Sequence, residues 1–247
     1  MIDFPGHDTS VAGLNLTCLA RQGFDSEAFG LDFHRVIRFS YPDLTREVGL
    51  LRPPFMADAK LPVRDIAGAK ALQAIGFRKI CVQPTFVLEL GGPPSVLPEA
   101  EPIALVDLTP EDLEAHAANF IYSRFGLDPQ ITEAERIAHQ RKWLVNTMAS
   151  PDIRKILGLG SQPGVRAFVS FKVREGQAAI DLVSVLDPGR GMGSSLMARL
   201  KTWAASSGLS RIEVTTESEN MPACLFYQKN GFRLARATVA FHLRREA

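Results

Sequence analysis

With 247 residues and 46% hydrophobic content, the chain can build one large domain or two small ones, each with a buried core. A net charge of +1 sets up no field for nucleic acid or an anionic membrane. Three scattered cysteines, Cys18, Cys81 and Cys224, make no disulfide or zinc framework, and the five histidines have no metal-ligand spacing, so no metal is expected. Met1 to Asp8 has neither a basic n-region nor an apolar h-region, and no apolar run reaches membrane-spanning length. The expectation is a cytoplasmic chain with no membrane insertion.

In chain order, the first informative segment is Gln73-Ala74-Ile75-Gly76-Phe77-Arg78, which mirrors Gln228-Lys229-Asn230-Gly231-Phe232-Arg233. Phe86 and Leu88 continue the match at the offset of Phe241 and Leu243. A constant offset across a helix end, a turn and a strand points to an internal repeat. Leu72 then stands where Tyr227 stands, and no glycine-rich turn precedes it at the matching distance. Gly91 to Pro102 reads as a linker, dividing the chain into 1–100 and 101–247. Beyond it, Ile103 to Leu108 is a strand. Thr109-Pro110-Glu111-Asp112 opens a helix reaching about Ser123, and Thr132 with Glu135 opens a second through Leu144 or beyond. Ile153 to Leu159 and Val165 to Val173 follow as strands joined at Gln162-Pro163-Gly164, and Ala179 to Leu186 is a third. A helix from near Gly193 carries Leu196, Met197, Leu200, Trp203 and Ala204 on one face, and Arg211 to Thr216 is the next strand.

The most telling stretch joins that third strand to the helix: Asp187-Pro188-Gly189-Arg190-Gly191-Met192-Gly193-Ser194-Ser195. An Arg-Gly-x-Gly turn leaves bare N–H groups at a helix N-terminus, which suits a phosphate. Read alone, it is equally a tight connection with no ligand. It is not a P-loop, because no Lys follows Gly193, nor a dinucleotide fingerprint, because Leu196 stands where a third glycine is required. Downstream comes Asn220-Met221-Pro222-Ala223-Cys224-Leu225-Phe226-Tyr227-Gln228-Lys229-Asn230-Gly231-Phe232. These two blocks, in this order and with these elements between them, resemble the GNAT superfamily of acyl-CoA-dependent N-acetyltransferases. Two departures are Ser195, where many members carry Gly or Ala, and Pro188, one place later than usual.

The resemblance implies a mixed α/β chain with a GNAT fold in 101–247 and a smaller, degenerate GNAT-like domain in 1–100 on the acceptor side. Asp25 to Gly30, Ser123-Arg124-Phe125, Asp128-Pro129 and the C-terminal Ala-Thr-Val-Ala-Phe-His-Leu run look like the dTDP-fucosamine acetyltransferases, which acetylate a nucleotide-linked 4-amino-4,6-dideoxygalactose. The implied donor is acetyl-CoA and the implied acceptor a small-molecule amine. The oligomeric state stays open, with a homodimer as one option.

By the same resemblance, backbone groups of Ser184, Val185 and Leu186 hold pantetheine. Arg190, Gly191, Met192, Gly193, Ser194 and Ser195 take the pyrophosphate, and Asn220 is a CoA contact, a helix cap, or both. Tyr227 is the expected general acid: a phenol with a reference pKa near 10 is protonated at neutral pH and can donate to the departing thiolate. Asp181 is the nearest carboxylate on the cofactor strand to serve as base. Ser123, Arg124 and Phe125 are expected to bind the acceptor, with Arg124 on a diphosphate and Phe125 stacked on a base. His242 is the one histidine expected near the site.

Overall fold

The computed structural model describes residues 10–11, 14–91, 108–150, 154–160 and 164–247. Its elements are β1 (Ser10–Val11), β2 (Leu14–Asn15), β3 (Leu19–Arg21), α1 (Gly23–Phe29), β4 (Asp32–Val36), α2 (Tyr41–Leu50), β5 (Phe55–Pro62), α3 (Ile66–Ala74), β6 (Arg78–Glu89), α4 (Pro110–Asn119), α5 (Glu133–Met148), β7 (Arg154–Gly160), β8 (Val165–Arg174), β9 (Gln177–Val185), α6 (Met192–Ser206), β10 (Arg211–Thr215), α7 (Met221–Lys229) and β11 (Arg233–Arg245). Beyond Gly91 the expected linker lies outside the described residues, as do most of the strand placed at Ile103 to Leu108 and the turn residues Gln162 and Pro163. No helix among the described residues is long and apolar enough to cross a membrane.

Two compact units form, and neither is contiguous in sequence. The first gathers Met1–Gln83, Arg124–His139 and Ala237–Ala247; the second gathers Pro84–Ser123 and Gln140–Arg236. This differs from a division at residue 100, and the reason is an exchange of strands. Repeat positions are 155 residues apart, as Gly76 is from Gly231. In the second unit β10 runs antiparallel to β6, with Glu213 opposite Val87. In the first, β11 runs antiparallel to β5, with His242 opposite Asp58. The same offset carries Asp58 to Glu213 and Val87 to His242. Each copy's last strand therefore pairs with the penultimate strand of the other copy, in the same register.

The turns that feed these strands also match. Phe77 N–H donates to the Leu72 carbonyl and Phe232 N–H to the Tyr227 carbonyl, both at 3.0 Å. Gly76 and Gly231 take the left-handed backbone that such helix stops require, with φ of 98° and 87°.

Within the second unit the strand order is β6, β10, β9, β8, β7, with only β9 and β10 parallel. Helix α6 connects those two. Its buried residues Leu196, Met197, Leu200 and Ala204 make one stripe at helical spacing, packed among Val169, Phe171, Ile180, Ile212, Val214 and Tyr227. Removing one of its buried leucines to alanine costs about 2–5 kcal/mol, because the surrounding core closes only partly over the gap. Within the first unit the order is β3, β4, β5, β11, with β4 and β5 parallel and joined through α2. Its main core gathers Leu19, Val36, Leu44, Phe55, Leu72, Phe77 and Phe241, beside a smaller cluster of Phe33, Met56, Phe125 and Ile131.

Candidate active site

The second unit opens where its parallel strands part. β9 and β10 pair from Gln177/Arg211 to Ile180/Val214, and β9 then continues to Val185 without that partner. On its other edge β9 stays paired with β8 throughout, but the register slips between Ser170 and Phe171. Ser170 faces Leu182 while Phe171 faces Ile180, so Asp181 is the extra residue of a β-bulge. The bulge inverts the alternation of the strand. Ala178 and Ile180 belong to the core beneath α6, and beyond the bulge the odd-numbered Val183 and Val185 take over that face. Leu186 N–H donates to the Arg166 carbonyl at 2.9 Å, so by the antiparallel alternation Ser184 and Leu182 also direct their main-chain groups at β8. That leaves the N–H and C=O groups of Val183 and Val185 along the edge that β10 has left. Of the three residues expected to hold pantetheine, Val185 alone presents its backbone there. Asp181 itself lies 3.5 Å from Lys172 Nζ.

The glycine-rich turn builds the second element. Gly191 caps α6 at φ 76° without any side-chain hydrogen bond, and the first turn carries no acid. The first bond within the helix runs from Ser195 N–H to the Gly191 carbonyl at 3.0 Å. The N–H groups of Met192, Gly193 and Ser194 therefore have neither a helical partner nor a cap. Arg190, Ser194 and Ser195 are exposed around them. Gly193 sits in a tight place: a Cβ there would lie 3.2 Å from the Phe226 ring, which would have to shift by a few tenths of an ångström. Arg166 holds the preceding loop through Asp187 at 2.7 Å.

Helix α7 supplies the third element. Asn220 is its cap: its side chain accepts from Ala223 N–H at 3.3 Å and donates to Thr216 Oγ1 at 3.3 Å. Tyr227 is only 5% exposed, with its ring against Phe86, Phe226 and Phe232. Burial first, then the charge of Glu217, pushes its phenol well above the ordinary tyrosine range, so it stays protonated at neutral pH. Glu217, in the loop after β10, is thus a carboxylate whose field reaches Tyr227, and sequence reasoning passed over it. Burial likewise pushes the Cys224 thiol up, as befits a packed residue rather than a nucleophile.

Helix α4 adds residues that carried no sequence signal. His116, 0% exposed, places Nδ1 2.7 Å from Ser184 Oγ and Nε2 2.8 Å from the Val165 carbonyl. Asn119 Nδ2 donates to Ser184 Oγ at 3.0 Å and to the Val185 carbonyl at 3.2 Å. A Thr109–Asp112 capping box starts α4 as expected, and Asp112 also accepts from Val165 N–H at 3.0 Å. The helix ends at Asn119, before the expected Ser123.

The residues expected to bind the acceptor are divided between the two units. Ser123 is grouped with the second unit, and Arg124 and Phe125 with the first, whose packing takes up both side chains. Arg124 Nη2 lies 3.1 Å from Asp58, which Arg35 also holds at 2.8 Å. Burial opposes ionisation of Asp58, yet the two guanidiniums win and hold its carboxyl well below the usual carboxylate range. Phe125 is 1% exposed, with the Arg124 guanidinium 4.3 Å above its ring and the rings of His139 and His242 in contact. No face is left for a nucleotide base, so Phe125 is a core residue. His242 is also in the first unit, carried there by the strand exchange, with Nδ1 2.7 Å from Asp128. Asp25, from the early Asp25 to Gly30 motif, is spent on His139 at 2.9 Å. Among the described residues no group of three or more His, Cys, Asp or Glu is placed to hold a metal.

Residues 134–232 match the sequence model of the Acetyltransferase (GNAT) family. That segment matches a GNAT acetyltransferase domain. The matched region contains β9, α6, β10 and α7, the elements that build the opening, and the match makes the chain an acyltransferase; the GNAT family matched over that region uses acetyl-CoA. Solved structures extend the likeness to the fold of most of the chain. A functionally unknown conserved protein from Staphylococcus epidermidis has a TM-score of 0.60 at 12% identity, covering 99% of this chain and 96% of its own. A GCN5-related N-acetyltransferase from Sphaerobacter thermophilus has a TM-score of 0.56 at 13% identity, covering 93% and 78%. A tandem GNAT protein from the clavulanic acid biosynthesis pathway has a TM-score of 0.52 at 16% identity, covering 86% and 75%. At such identities the likeness is one of fold. No curated protein matches the sequence of this chain.

Proposed function

We propose that the chain moves the acetyl group of acetyl-CoA onto the amine of a nucleotide-linked 4-amino-4,6-dideoxyhexose. The observation that carries the acetyl-transfer half is the parting of β9 from β10 beside an uncapped α6 N-terminus. A diphosphate would rest on the N–H groups of Met192, Gly193 and Ser194, with Arg190 and the two serines around it. The pantetheine amides would pair with the main chain of Val183 and the N–H of Val185, whose carbonyl already accepts from Asn119. The sugar half is supported by the short sequence motifs shared with that acetyltransferase type. Since Arg124 and Phe125 are committed to the first unit's interior, nucleotide recognition falls to other side chains.

In this reading the acceptor ammonium first loses a proton through water, with Asp181 as the strand carboxylate that receives it. The neutral nitrogen attacks the thioester carbonyl, the C–S bond breaks, and the Tyr227 phenol gives its proton to the departing thiolate. The phenolate then regains a proton from the newly formed N-acyl ammonium, so one proton in all leaves for solvent. Thiol release from acetyl-CoA tests the reading with three amines: a dTDP-linked 4-amino-4,6-dideoxygalactose, spermidine and a free-amino peptide. Turnover selective for the sugar nucleotide is expected. Turnover on the peptide or the polyamine alone rejects the acceptor class, and CoA binding with no turnover on any amine rejects the proposed reaction.

A further inference from the structure

Asn119 closes α4 beside the end of β9, and the orientation of its side-chain amide is dictated by a relay of hydrogen bonds. The Val165 carbonyl only accepts, so His116 Nε2, 2.8 Å away, must carry a proton. Burial drives the His116 pKa down, which keeps the ring neutral near pH 7 and makes Nδ1 an acceptor. The Ser184 hydroxyl, 2.7 Å from Nδ1, therefore donates to it. That leaves Ser184 Oγ to accept, and Asn119 Nδ2 donates to it at 3.0 Å. The other proton of the same Nδ2 goes to the Val185 carbonyl at 3.2 Å. Both amide protons are committed. Turning the amide over would point Oδ1 at the Val185 carbonyl, acceptor against acceptor, and would lose both bonds. Asn119 is exposed, and its Oδ1 accepts no hydrogen bond among the described residues.

We propose that Asn119 Oδ1 receives an N–H of the incoming acceptor and selects amines over alcohols. The claim rests on the acetyl-transfer reading above and deepens it. A neutral primary amine has two N–H bonds and one lone pair, so it can donate to Oδ1 while the lone pair faces the thioester carbon. An attacking hydroxyl gives up its only proton and has nothing left to donate. His116 and Ser184 are positioning residues: they act only by fixing which way the Asn119 amide faces.

The test uses the full chain and its Asn119→Leu and Ser184→Ala variants. Two quantities are measured: CoA affinity by calorimetry, and kinetics at saturating acetyl-CoA with whichever of the three amines the unaltered chain turns over fastest. Asn119→Leu should lower kcat/KM for the amine about 10- to 100-fold, with CoA affinity held within about twofold, as loss of one hydrogen bond to the acceptor implies. Ser184→Ala frees the amide to turn and should cost roughly 3- to 10-fold on the same axis, again without moving CoA affinity. Unchanged amine kinetics in Asn119→Leu, or a parallel loss of CoA affinity, overturns the proposal. If no amine turns over, the acceptor reading fails by itself, and Asn119 is judged by NMR. Methylammonium chloride is titrated into the CoA-saturated protein while the Asn119 side-chain amide signals, assigned by their loss in Asn119→Leu, are followed. A saturable shift supports the proposal, and flat signals overturn it.

Discussion

The two units each contain a parallel strand pair bridged by a helix, β4–α2–β5 in the first and β9–α6–β10 in the second, yet one is sealed where the other is open. In the second, pairing ends at the apolar Ile180 and Val214, and α6 starts on a glycine with bare N–H groups. In the first, pairing ends at Arg35 and Asp58, whose side chains form an ion pair at 2.8 Å that Arg124 completes. There α2 begins at Ser40, with Pro42, which has no N–H, at its second position and Asp43 at its third. Asp43 lies 2.5 Å from Ser40 Oγ and puts a fixed negative charge on the positive end of the helix dipole. A phosphate would meet that carboxylate. The first copy keeps the backbone plan but presents an acid at its helix end and an ion pair at its strand end.

The largest expected break in this asymmetry is at Tyr227, the position held by Leu72 in the other copy. Tyr227→Phe keeps the ring that packs on Phe86 and Phe232 but removes the hydroxyl proposed as the proton donor. Steady-state turnover should fall roughly 10²- to 10⁴-fold, the usual span for a lost general acid, with CoA affinity unchanged. Next is Ser194→Asp, which gives α6 the acid that Asp43 gives α2 at the same third position. CoA affinity by calorimetry should drop at least about tenfold. The variant helix should meanwhile be no less stable on thermal melting, since an acid in the first turn is worth about 0.3–1 kcal/mol in its favour. A Ser194→Asp protein that binds CoA normally would remove α6 from the pyrophosphate role.

The smallest effect concerns two buried histidines. In the second unit His116 has a partner at each ring nitrogen, whereas His34 on β4 of the first has none among the described residues. Burial drives both below the ordinary histidine value of 6.5. On acidification the unfolded chain takes up these protons before the folded one does. Their stabilising contribution is therefore present above pH 6.5 and declines as the pH falls below it. The melting temperature of His34→Leu should fall less than that of the unaltered chain over this decline. An equal fall would show that His34 is not among the groups that set acid sensitivity.

How much of this could be read from the chain depended on distance along it. The Arg190 to Ser195 turn, the Thr109 and Thr132 caps and the Asn220 cap were legible, because each is specified by neighbours three or four residues away. The repeat was visible for the same reason, in two short helix stops. The exchange of β6 and β11 was not, since nothing local tells a strand which of two equivalent edges to join. That one unknown carried His242, on β11, into the first unit. Arg124 and Phe125 are taken up there by partners remote in sequence, Asp58 for Arg124 and His242 for Phe125. The bulge at Asp181 escaped notice because one extra residue leaves no mark in composition, although it decides which backbone groups face the opening. His116 and Asn119 carried no motif and matter only through Ser184, 68 and 65 residues further on.

The central claim is one open unit and one sealed unit in each chain. Calorimetric titration of the full-length protein with CoA measures this directly. One CoA per chain is expected, with the same stoichiometry and affinity in an Asp43→Ser variant, because the Arg35–Asp58–Arg124 cluster still closes the first unit. Two molecules per chain, or a second binding event created by Asp43→Ser, would contradict it.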